Sequence, residues 1–393
     1  MTAFSQRLQE AFFDGPQKRV TERMIEAGFD AILTDHPEDI AYLTGFFHHP
    51  SERPVAVWID GEGRTIMLLP ELEREYATAQ NARAELVAFP EFPGVVAPFS
   101  FLADVVGRGP RRIGFTTMMT AERLLAAQAV FGDASWEPTE LVTRARYVKF
   151  PEEVELHREA ARITDRMLGS AVALIRQAVS SGGKLPSEAE LASHVAAVGT
   201  GMMYAEHRNV VVSSFQAGGL VYTGDNSSYP HGLPSERRLA PGDTFMLSLG
   251  CAVGGRFVEG ERTFVLGEPS GMQRAFHDAV RRAQEVGGRA IRAGAECRES
   301  NRICLDVIRA AGFGEHLRHR QGHGIGLGMH EPPWLEDGDT TVLEAGMIVS
   351  NEPGIYIPGH AGYRISDSML VTANGAEALT SYPRGLDDCT IAL

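Results

Sequence analysis

Short apolar runs alternate with amphipathic stretches through the first third of the chain. The stretch from Lys18 to Ala27 places apolar residues at helical spacing, and the run from Phe29 to Thr34 predicts a buried strand. Two further apolar runs, Pro54 to Ile59 and Thr65 to Leu69, flank a polar turn that contains glycine, which predicts a hairpin. This alternation predicts an α/β domain with a mixed sheet covered by helices.

The pattern changes around residues 144–149. A helical stretch then runs from Pro151 to about Val179, with proline in its first turn and acidic residues beside it, as the start of a helix favours. Because the change in pattern marks a boundary, we divide the chain into an N-terminal domain, residues 1–146, and a C-terminal domain, residues 147–393. Strand-like runs of the second domain include Asn209–Val212, Thr244–Leu249, Met347–Asn351 and Arg364–Val371.

The overall composition excludes several classes of protein. With 393 residues, 44% of them apolar, the chain suits two soluble domains of about 100–200 residues each. A formal charge of −14 argues against nucleic-acid binding, which needs clustered Lys and Arg. No apolar run approaches the roughly 20 residues of a membrane-spanning helix, and the N-terminus lacks the pattern of a secretory signal. We therefore expect a cytoplasmic protein with neither a membrane nor a nucleic-acid partner.

Two carboxylates and a histidine in the second domain are the first candidates for chemistry. Glu259 and Glu261 stand two positions apart in a strand-like run, so alternation places both side chains on one face. Two inward carboxylates repel each other unless they share a proton, a cation or a metal, whereas a solvated edge strand needs no such partner. His231 lies in a polar loop upstream, between Pro230 and Gly232.

Three further segments add imidazole, carboxylate and guanidinium groups. The glycine-rich segment Gly322–Glu331 carries His323 and His330, and its glycines allow the backbone to approach a ligand closely. It is a poor phosphate-binding loop, because no lysine follows the glycines. Two charged segments follow, Ser350–Tyr356, which contains an Asn-Glu-Pro-Gly sequence, and Gly362–Asp367.

The order and spacing of these segments resemble the methionine aminopeptidase, prolidase and creatinase superfamily. The likeness covers Pro151 to Leu393, and the first part of the chain resembles the N-terminal domain of creatinase and prolidase. The combination of Gly-His-Gly-Ile-Gly, His-Glu and Asn-Glu-Pro-Gly is specific, although each alone is weak. The resemblance implies an α/β N-terminal domain with a mixed sheet, followed by an α+β pita-bread catalytic domain of a hydrolase.

The metal ligands of this superfamily are incomplete in the chain. Metallopeptidases with this motif pattern bind two ions through two Asp, one His and two Glu, and these positions fall on Ser248, Glu259, His323, Glu352 and Ser366. Hard divalent ions need several anionic oxygens, and two of the five positions here carry a hydroxyl instead. We therefore expect no metal pair and no other cofactor. A single weak ion held by Glu259, His323 and Glu352 stays open.

Creatinase is the member of the superfamily that works without metal, and its motifs give the roles that we expect here. His231 resembles its catalytic base and acid, Glu261 and Glu352 its two substrate-holding carboxylates, and Arg53 its carboxylate-binding arginine. The position of a second carboxylate-binding arginine of creatinase falls near Trp334 in this chain. Because tryptophan cannot replace that arginine, creatine itself is a doubtful substrate. The predicted catalytic residues are His231, Glu259, Glu261, His323 and Glu352, and the predicted substrate-binding residues are Arg53, His330, Trp334, Tyr356 and Arg364.

These roles predict metal-independent hydrolysis of a C–N bond in a small, polar, carboxylate-bearing substrate. Glu259 would either position water or act as the nucleophile. Three alternatives remain: a metal-dependent Xaa-Pro dipeptidase or aminopeptidase, an ectoine hydrolase, and a binding module without catalysis. Retention of His231, Glu261, His323, His330 and Glu352 together argues against the binding module, which has no evident use for all of them.

Arg53 also leads to a prediction about assembly. In creatinase the corresponding arginine reaches the active site of the partner subunit, so the resemblance implies that the working unit here is a homodimer. Light scattering combined with an activity assay checks this expectation. A fully active monomer would contradict it.

Overall fold

The computed structural model describes residues 4–92, 96–213 and 215–393, which form two compact units. The first unit runs from Arg7 to Arg146 and includes the segment that begins at Val211. The second unit contains Tyr147–Val210 and Phe215–Leu393, together with the start of the chain up to Gln6, where the short strand β1 (Phe4–Ser5) lies. The ends of the two units therefore do not follow a single cut in the sequence.

The first unit is an α/β domain built on one mixed sheet, as the sequence predicts. Its six strands have the order β5-β4-β3-β2-β6-β7, with β2, β3 and β4 antiparallel and the other neighbours parallel. The strands are β2 (Ala31–Thr34), β3 (Ala56–Asp60), β4 (Thr65–Pro70), β5 (Glu85–Phe89), β6 (Arg112–Thr116) and β7 (Ser135–Thr139). The helices are α1 (Asp14–Glu26), α2 (Pro37–Thr44), α3 (Arg74–Ala79), α4 (Pro98–Val106), α5 (Ala121–Phe131) and α6 (Leu141–Ala145).

Buried apolar side chains join this sheet to its helices. Trp58 on β3 is fully buried and stacks on Phe131 at the end of α5, with ring centroids 5.2 Å apart. Phe99 and Leu102 of α4 belong to the same core. Burial of such large apolar side chains contributes about 1.5–3 kcal/mol each, so this core accounts for much of the stability of the unit.

The second unit is the α+β pita-bread domain that the resemblance implies. Its strands are β8 (His207–Arg208), β9 (Ala217–Thr223), β10 (Thr244–Val253), β11 (Arg256–Leu266), β12 (Gly322–Gly324), β13 (Glu331–Leu335), β14 (Ile348–Asn351), β15 (Gly354–Ile357), β16 (Ala361–Arg364), β17 (Ser366–Thr372), β18 (Gly375–Ala378) and β19 (Thr390–Ile391). The helices are α7 (Pro151–Ser180), α8 (Glu188–Glu206), α9 (Gly271–Ala290) and α10 (Cys297–Ala310).

One large sheet places the candidate residues of this unit. Its strand path is β13-β12-β14-β17-β11-β10-β9, with β18 beside β17 and β19 beside β11. Helices α7 and α8 pack against β9, β10 and β11, whereas α9 packs against α10 and β14. Strands β15 and β16 form a separate hairpin, and β1 pairs with β8. The charged segments of the sequence therefore meet at the centre of the sheet and beside it.

Two of the predicted strands differ in the structure. The run from Asn209 to Val212 forms no strand, and Asn209 has a φ of 53°, a left-handed conformation that an extended strand does not allow. The run from Arg364 to Val371 is two strands, because β16 ends at Arg364 and β17 begins at Ser366. Arg364 and Ser366 consequently belong to a hairpin and to the main sheet, respectively.

Candidate active site

The centre of the site is the antiparallel pair β10 and β11. Ser248 on β10 lies opposite Glu261 on β11, and Gly250 lies opposite Glu259. Both glutamates are buried and share one face of β11, as the two-residue period of a strand predicts. The Ser248 hydroxyl donates a hydrogen bond to the Glu261 carboxylate. One of the five superfamily ligand positions is therefore a hydroxyl that is bonded to a neighbouring acid.

Strand β17 brings a second serine to this face. Ser366 pairs with Glu261 across the strands, and its hydroxyl donates to Glu259 Oε1 at 2.9 Å. Ser368 lies two residues along the same strand. Its hydroxyl accepts a hydrogen bond from the backbone N–H of Glu259 and donates one to the backbone carbonyl oxygen of Glu259, each at 3.0 Å. The β17 serines thus hold Glu259 in place without adding negative charge.

Arg364 supplies the positive charge next to Glu261. Its Nη2 lies 2.9 Å from Glu261 Oε1 and its Nε lies 2.5 Å from Oε2, so one guanidinium engages both carboxylate oxygens. The same side chain donates to Ser248 Oγ at 3.1 Å and to the Tyr356 hydroxyl at 3.0 Å. Burial alone lowers the pKa of Arg364, but the electrostatic interactions with Glu261, Tyr356 and Glu352 together outweigh it and hold that pKa above its ordinary value.

His323 and Glu352 form a second buried pair of opposite charge. His323 Nε2 lies 3.1 Å from Glu352 Oε1 and 3.8 Å from Glu259 Oε2. Its Nδ1 lies 3.0 Å from the carbonyl oxygen of Gly324, and a carbonyl only accepts, so Nδ1 carries a proton. Burial lowers the pKa of His323, yet the ion pair with Glu352 outweighs this effect and raises the pKa to about 9.

The two glutamates beside His323 respond in opposite directions. Burial and the nearby charge of Glu352 raise the pKa of Glu259 to about 8, so this carboxyl is protonated at neutral pH. Burial also raises the pKa of Glu352, but the ion pair with His323 and the charge of Arg364 together outweigh it and hold that pKa well below its ordinary value. The resulting set is a neutral Glu259, a cationic His323 and an anionic Glu352.

The glycines around His323 are required by close contacts between strands. A Cβ at Gly322 would lie 2.1 Å from the carbonyl oxygen of Ser350, and one at Gly324 would lie 2.5 Å from that of Pro332. Real Cβ atoms do not approach a backbone so closely, so only glycine fits at either position. The Gly-His-Gly sequence therefore fixes the imidazole between β13 and β14.

One cavity of about 510 Å³ opens in front of these groups. His330 lies at its wall, with its ring 4.1 Å from that of His323. Burial and the positive charge of His323 lower the pKa of His330 to about 4, so this imidazole is neutral at pH 7. The lining residues are Pro230, His231, Arg318, His319, Arg320, His323, His330, Glu336, Glu352 and Arg364.

His231 lies on the exposed loop at this cavity, and the loop is anchored through the residue before it. The carbonyl oxygen of Pro230 accepts a hydrogen bond from Arg364 Nη1 at 3.2 Å and another from the Tyr222 hydroxyl at 3.1 Å. The Arg364–Glu261 ion pair thereby also positions the backbone next to His231. Sequence reasoning places His231 at the site but does not detect this link.

Tyr356 and Trp334, two further predicted substrate-binding residues, do not line the cavity. Tyr356 is buried and bonds His319 Nε2 at 2.8 Å as well as Arg364, so it supports the lining and does not form it. Trp334 lies beneath Arg320, which covers its ring. Arg53 belongs to the first unit, where it pairs with Glu52 and Glu91, and its proposed role stays a prediction.

Sequence reasoning missed three residues that line the cavity, Arg318, His319 and Arg320. They precede the glycine-rich segment directly, and the run Arg-His-Arg-Gln was the available signal. A basic run is usually a solvated surface, so its pattern alone does not separate these residues from ordinary surface charge.

Comparison with known proteins identifies the family. The family model described as "Metallopeptidase family M24" matches residues 155–373. The family model described as "Creatinase/Prolidase N-terminal domain" matches residues 17–148. The chain belongs to metallopeptidase family M24. This confirms the superfamily inferred from the motifs, and the chain is a hydrolase of this family.

Several relatives of this M24 chain are named as peptidases. An uncharacterized peptidase of Staphylococcus aureus is 29% identical over 357 residues, which cover 90% of this chain and 95% of that protein. The structure of an Xaa-Pro dipeptidase from Bacillus anthracis has a TM-score of 0.83 and 31% identity, covering 96% of this chain and 99% of that one. The prolidase from Pyrococcus horikoshii OT3 has a TM-score of 0.81 and 26% identity, covering 94% and 99%. These names favour the metal-dependent Xaa-Pro dipeptidase alternative over the metal-independent, creatinase-like interpretation.

The metal pair of family M24 does not fit the groups present here. Ser248 and Ser366 offer hydroxyls in place of two carboxylates, and the Arg364 guanidinium already contacts Ser248 and Glu261. Divalent ions of this kind need anionic oxygens in greater number. One ion does fit, because Glu259, His323 and His330 present ligand atoms within 4.8 Å of one another. His330 thus replaces Glu352 in the single-ion set that the sequence suggests.

No described helix combines the length and the apolar character that a membrane crossing needs.

Changing Glu352 to Gln tests the charge assignment of His323. Glutamine keeps the shape but removes the negative charge, so we expect the pKa of His323 to fall in Glu352→Gln. NMR of protein with labelled histidine measures this titration directly. His277, whose pKa burial lowers to about 4, is the internal control and should titrate unchanged.

The ion pair of His323 and Glu352 also predicts that the stability of the fold depends on pH. The folded-state pKa of His323 lies above its unfolded value of about 6.5, so its contribution is complete below that pH and is lost as pH rises through about 9. We expect Glu352→Gln to lower the free energy of unfolding by about 1.5–3 kcal/mol near pH 6, and by less near pH 10. An equal loss at both pH values in urea denaturation would contradict the pairing.

Proposed function

We propose that this chain hydrolyses a peptide-type C–N bond in a small substrate, without the metal pair of its family. The observation that carries the proposal is the gathering of His231, His323, His330 and Glu352 around one cavity. A neutral imidazole, an imidazolium and a carboxylate together can take up, hold and return a proton. A volume of about 510 Å³ suits a ligand of dipeptide size.

The arrangement of Glu261 favours a neutral amide substrate over a cationic one. In the creatinase-like interpretation, Glu261 holds a cationic or amidine-like group. Here both of its oxygens lie within 2.9 Å of Arg364 nitrogens, and Ser248 donates to it as well. A carboxylate whose charge is already neutralised gains little binding free energy from a second cation. The role that follows for Glu261 is to position Arg364. The names of the relatives point the same way, and Xaa-Pro dipeptides are the first substrate class to test.

His231 is the proposed general base and acid. It removes a proton from water as the water oxygen attacks the carbonyl carbon, and it returns a proton to the nitrogen as the C–N bond breaks. Water thus adds OH to the carbon and H to the nitrogen, so the proton balance closes. The loop that carries His231 is held at Pro230 by Arg364 and Tyr222, which limits its movement.

His323 is the proposed electrostatic stabiliser of the reaction. Its imidazolium sits in a buried setting, where a fixed charge interacts strongly with the negative charge that develops on the carbonyl oxygen. Glu259, protonated at neutral pH, is a poor nucleophile, so of its two predicted roles we favour the positioning of water. Glu352 keeps His323 charged and oriented.

A second candidate is a metal-dependent Xaa-Pro dipeptidase that uses one ion. The grouping of Glu259, His323 and His330 and the names of the solved relatives favour it. A bound ion would polarise the substrate carbonyl and lower the pKa of water. Glu259 and His323 would have to lose their protons on binding it, so affinity for the ion would rise with pH.

Replacing His231 by Ala tests the first candidate. We expect a roughly 10²–10⁴-fold loss of kcat on Xaa-Pro dipeptides, because one general acid–base group contributes about that much. Leu233→Ala, an exposed residue of the same loop, is the matched control and should keep wild-type turnover and thermal stability. Wild-type turnover in His231→Ala would contradict the role, and a wild-type protein inactive on every dipeptide tested would favour the binding module.

The same assay after chelation separates the two candidates. Full activity of a metal-free protein supports the first. Activity that is lost on chelation and restored by Mn²⁺, Co²⁺ or Zn²⁺ supports the second. In that case His330→Ala should lower the affinity for the ion that restores activity, because it removes one of three donors.

A further inference from the structure

One buried carboxylate contacts both ends of the loop that carries His231. Glu188 is the first residue of α8 and is fully buried, and its Oε1 accepts a hydrogen bond from the backbone N–H of Thr223 at 2.7 Å. Its Oε2 accepts from the backbone N–H of Ser235 at 2.8 Å, from the Ser235 hydroxyl at 2.6 Å and from Asn226 Nδ2 at 2.8 Å. Thr223 precedes the loop and Ser235 ends it, so one side chain joins the two ends.

Neutral donors satisfy the Glu188 carboxylate. An ionised carboxylate has about four acceptor sites, so the four hydrogen bonds from Thr223, Asn226 and Ser235 saturate it. Glu188 also lies at the N-terminus of a 19-residue helix, whose positive end stabilises a negative charge. The side chain does not line the cavity and has no acceptor left for a ligand. It therefore acts on the loop and not on a substrate.

Asn226 extends this contact to the turn that contains His231. Its side-chain amide donates to Glu188, and its carbonyl oxygen accepts a hydrogen bond from the backbone N–H of Tyr229 at 3.3 Å. The carbonyl oxygen of Tyr229 accepts in turn from the N–H of Gly232 at 3.1 Å, which closes the turn around His231. The hydrogen bonds from the buried carboxylate to this turn are thus continuous.

The loop is held at its ends as well as in its middle. Arg364 and the Tyr222 hydroxyl bond the carbonyl oxygen of Pro230, in the middle of the loop. Glu188 instead bonds the ends. His231 itself is exposed, so its position depends on the backbone that carries it. This position matters for a general base, because a displacement of about 1 Å can lower a rate roughly 100-fold.

We propose that Glu188 is a positioning residue for the reaction, which fixes both ends of the loop and so holds His231 at the cavity. The inference rests on the proposed role of His231 as general base and acid, and it adds a residue that acts on the rate without touching the substrate. A residue that acts only through His231 has no effect on the rate once His231 is absent. This property separates positioning from a general contribution to the fold.

Glu188→Gln tests the contact with the loop without an activity assay. Glutamine has a single acceptor oxygen, so in either orientation its NH₂ group faces the donors of one end of the loop. In hydrogen exchange followed by mass spectrometry, we expect peptides that cover residues 223–235 to exchange about 10- to 100-fold faster, which corresponds to the loss of a hydrogen bond to a charged group. Peptides of α9 should exchange as in the wild type. Wild-type exchange of the loop overturns the proposal.

Glu190→Gln is the matched control for this measurement. Glu190 lies in the same turn of α8, is about half exposed and pairs with Arg238. The variant removes the same charge from the same helix turn but leaves the four hydrogen bonds of Glu188 in place. Exchange of the loop and kcat should both stay at their wild-type values.

The kinetic test measures Glu188→Gln alone and combined with His231→Ala, on a dipeptide that the wild type cleaves. We expect Glu188→Gln alone to lower kcat about 10- to 100-fold with little change in KM, because a displaced base weakens binding of the transition state only. In the His231→Ala background the same change should lower kcat less than about 2-fold. An equal loss in both backgrounds overturns the proposal. Wild-type turnover in His231→Ala counts against the general base and not against the loop contact, which the exchange measurement decides.

Ser235→Ala covers the case in which Glu188→Gln does not fold. It removes one of the four donors and keeps the backbone N–H of the same residue, so the fold should persist. We expect kcat to fall about 2- to 10-fold, as for the loss of one ordinary hydrogen bond, with faster exchange confined to the loop. Wild-type kcat and wild-type exchange in Ser235→Ala would then overturn the proposal.

Discussion

The ion pair between Arg364 and Glu261 is the contact on which the site depends. Both side chains are almost fully buried, and removal of either partner would leave a charge without compensation, which typically costs about 3–5 kcal/mol. Through Ser248, Tyr356 and the carbonyl of Pro230, this pair connects β10, β15 and the loop of His231. A single cross-strand interaction therefore links the sheet to the proposed general base.

Together with the Arg364–Glu261 pair, the other buried groups of the site balance its charge. The sequence resemblance places Ser248 and Ser366 at positions where metallopeptidases of the superfamily carry carboxylates, and these hydroxyls donate to Glu261 and Glu259. The anion of Glu261 is matched by Arg364 and that of Glu352 by His323, while Glu259 stays neutral through its proton. Buried acids that would otherwise need cations are thus compensated within the chain. We infer that loss of the metal pair and retention of a hydrolytic pocket are compatible.

Local patterns were enough to predict much of this arrangement. Strand alternation predicts that Glu259 and Glu261 share one face. The glycines around His323 were expected to let the backbone approach a ligand, whereas Gly322 and Gly324 are required by contacts with neighbouring strands. The engagement of Glu261 by Arg364 could not be predicted, because it depends on how a hairpin 103 residues away packs onto the sheet. The orientation of Arg320 depends in the same way on a separate strand. Where charge partners come from distant segments, sequence spacing identifies the groups but not their pairing.

The most direct test of this account is the number of metal ions that the purified protein holds. Protein equilibrated with Mn²⁺, Co²⁺ or Zn²⁺, freed of excess ion and measured by inductively coupled plasma mass spectrometry should contain at most one ion per chain. The variant S248D/S366E, which restores two carboxylates, should contain more than the wild type. Two tightly bound ions per wild-type chain would contradict the central claim that Ser248, Ser366 and the Arg364–Glu261 pair replace the metal pair.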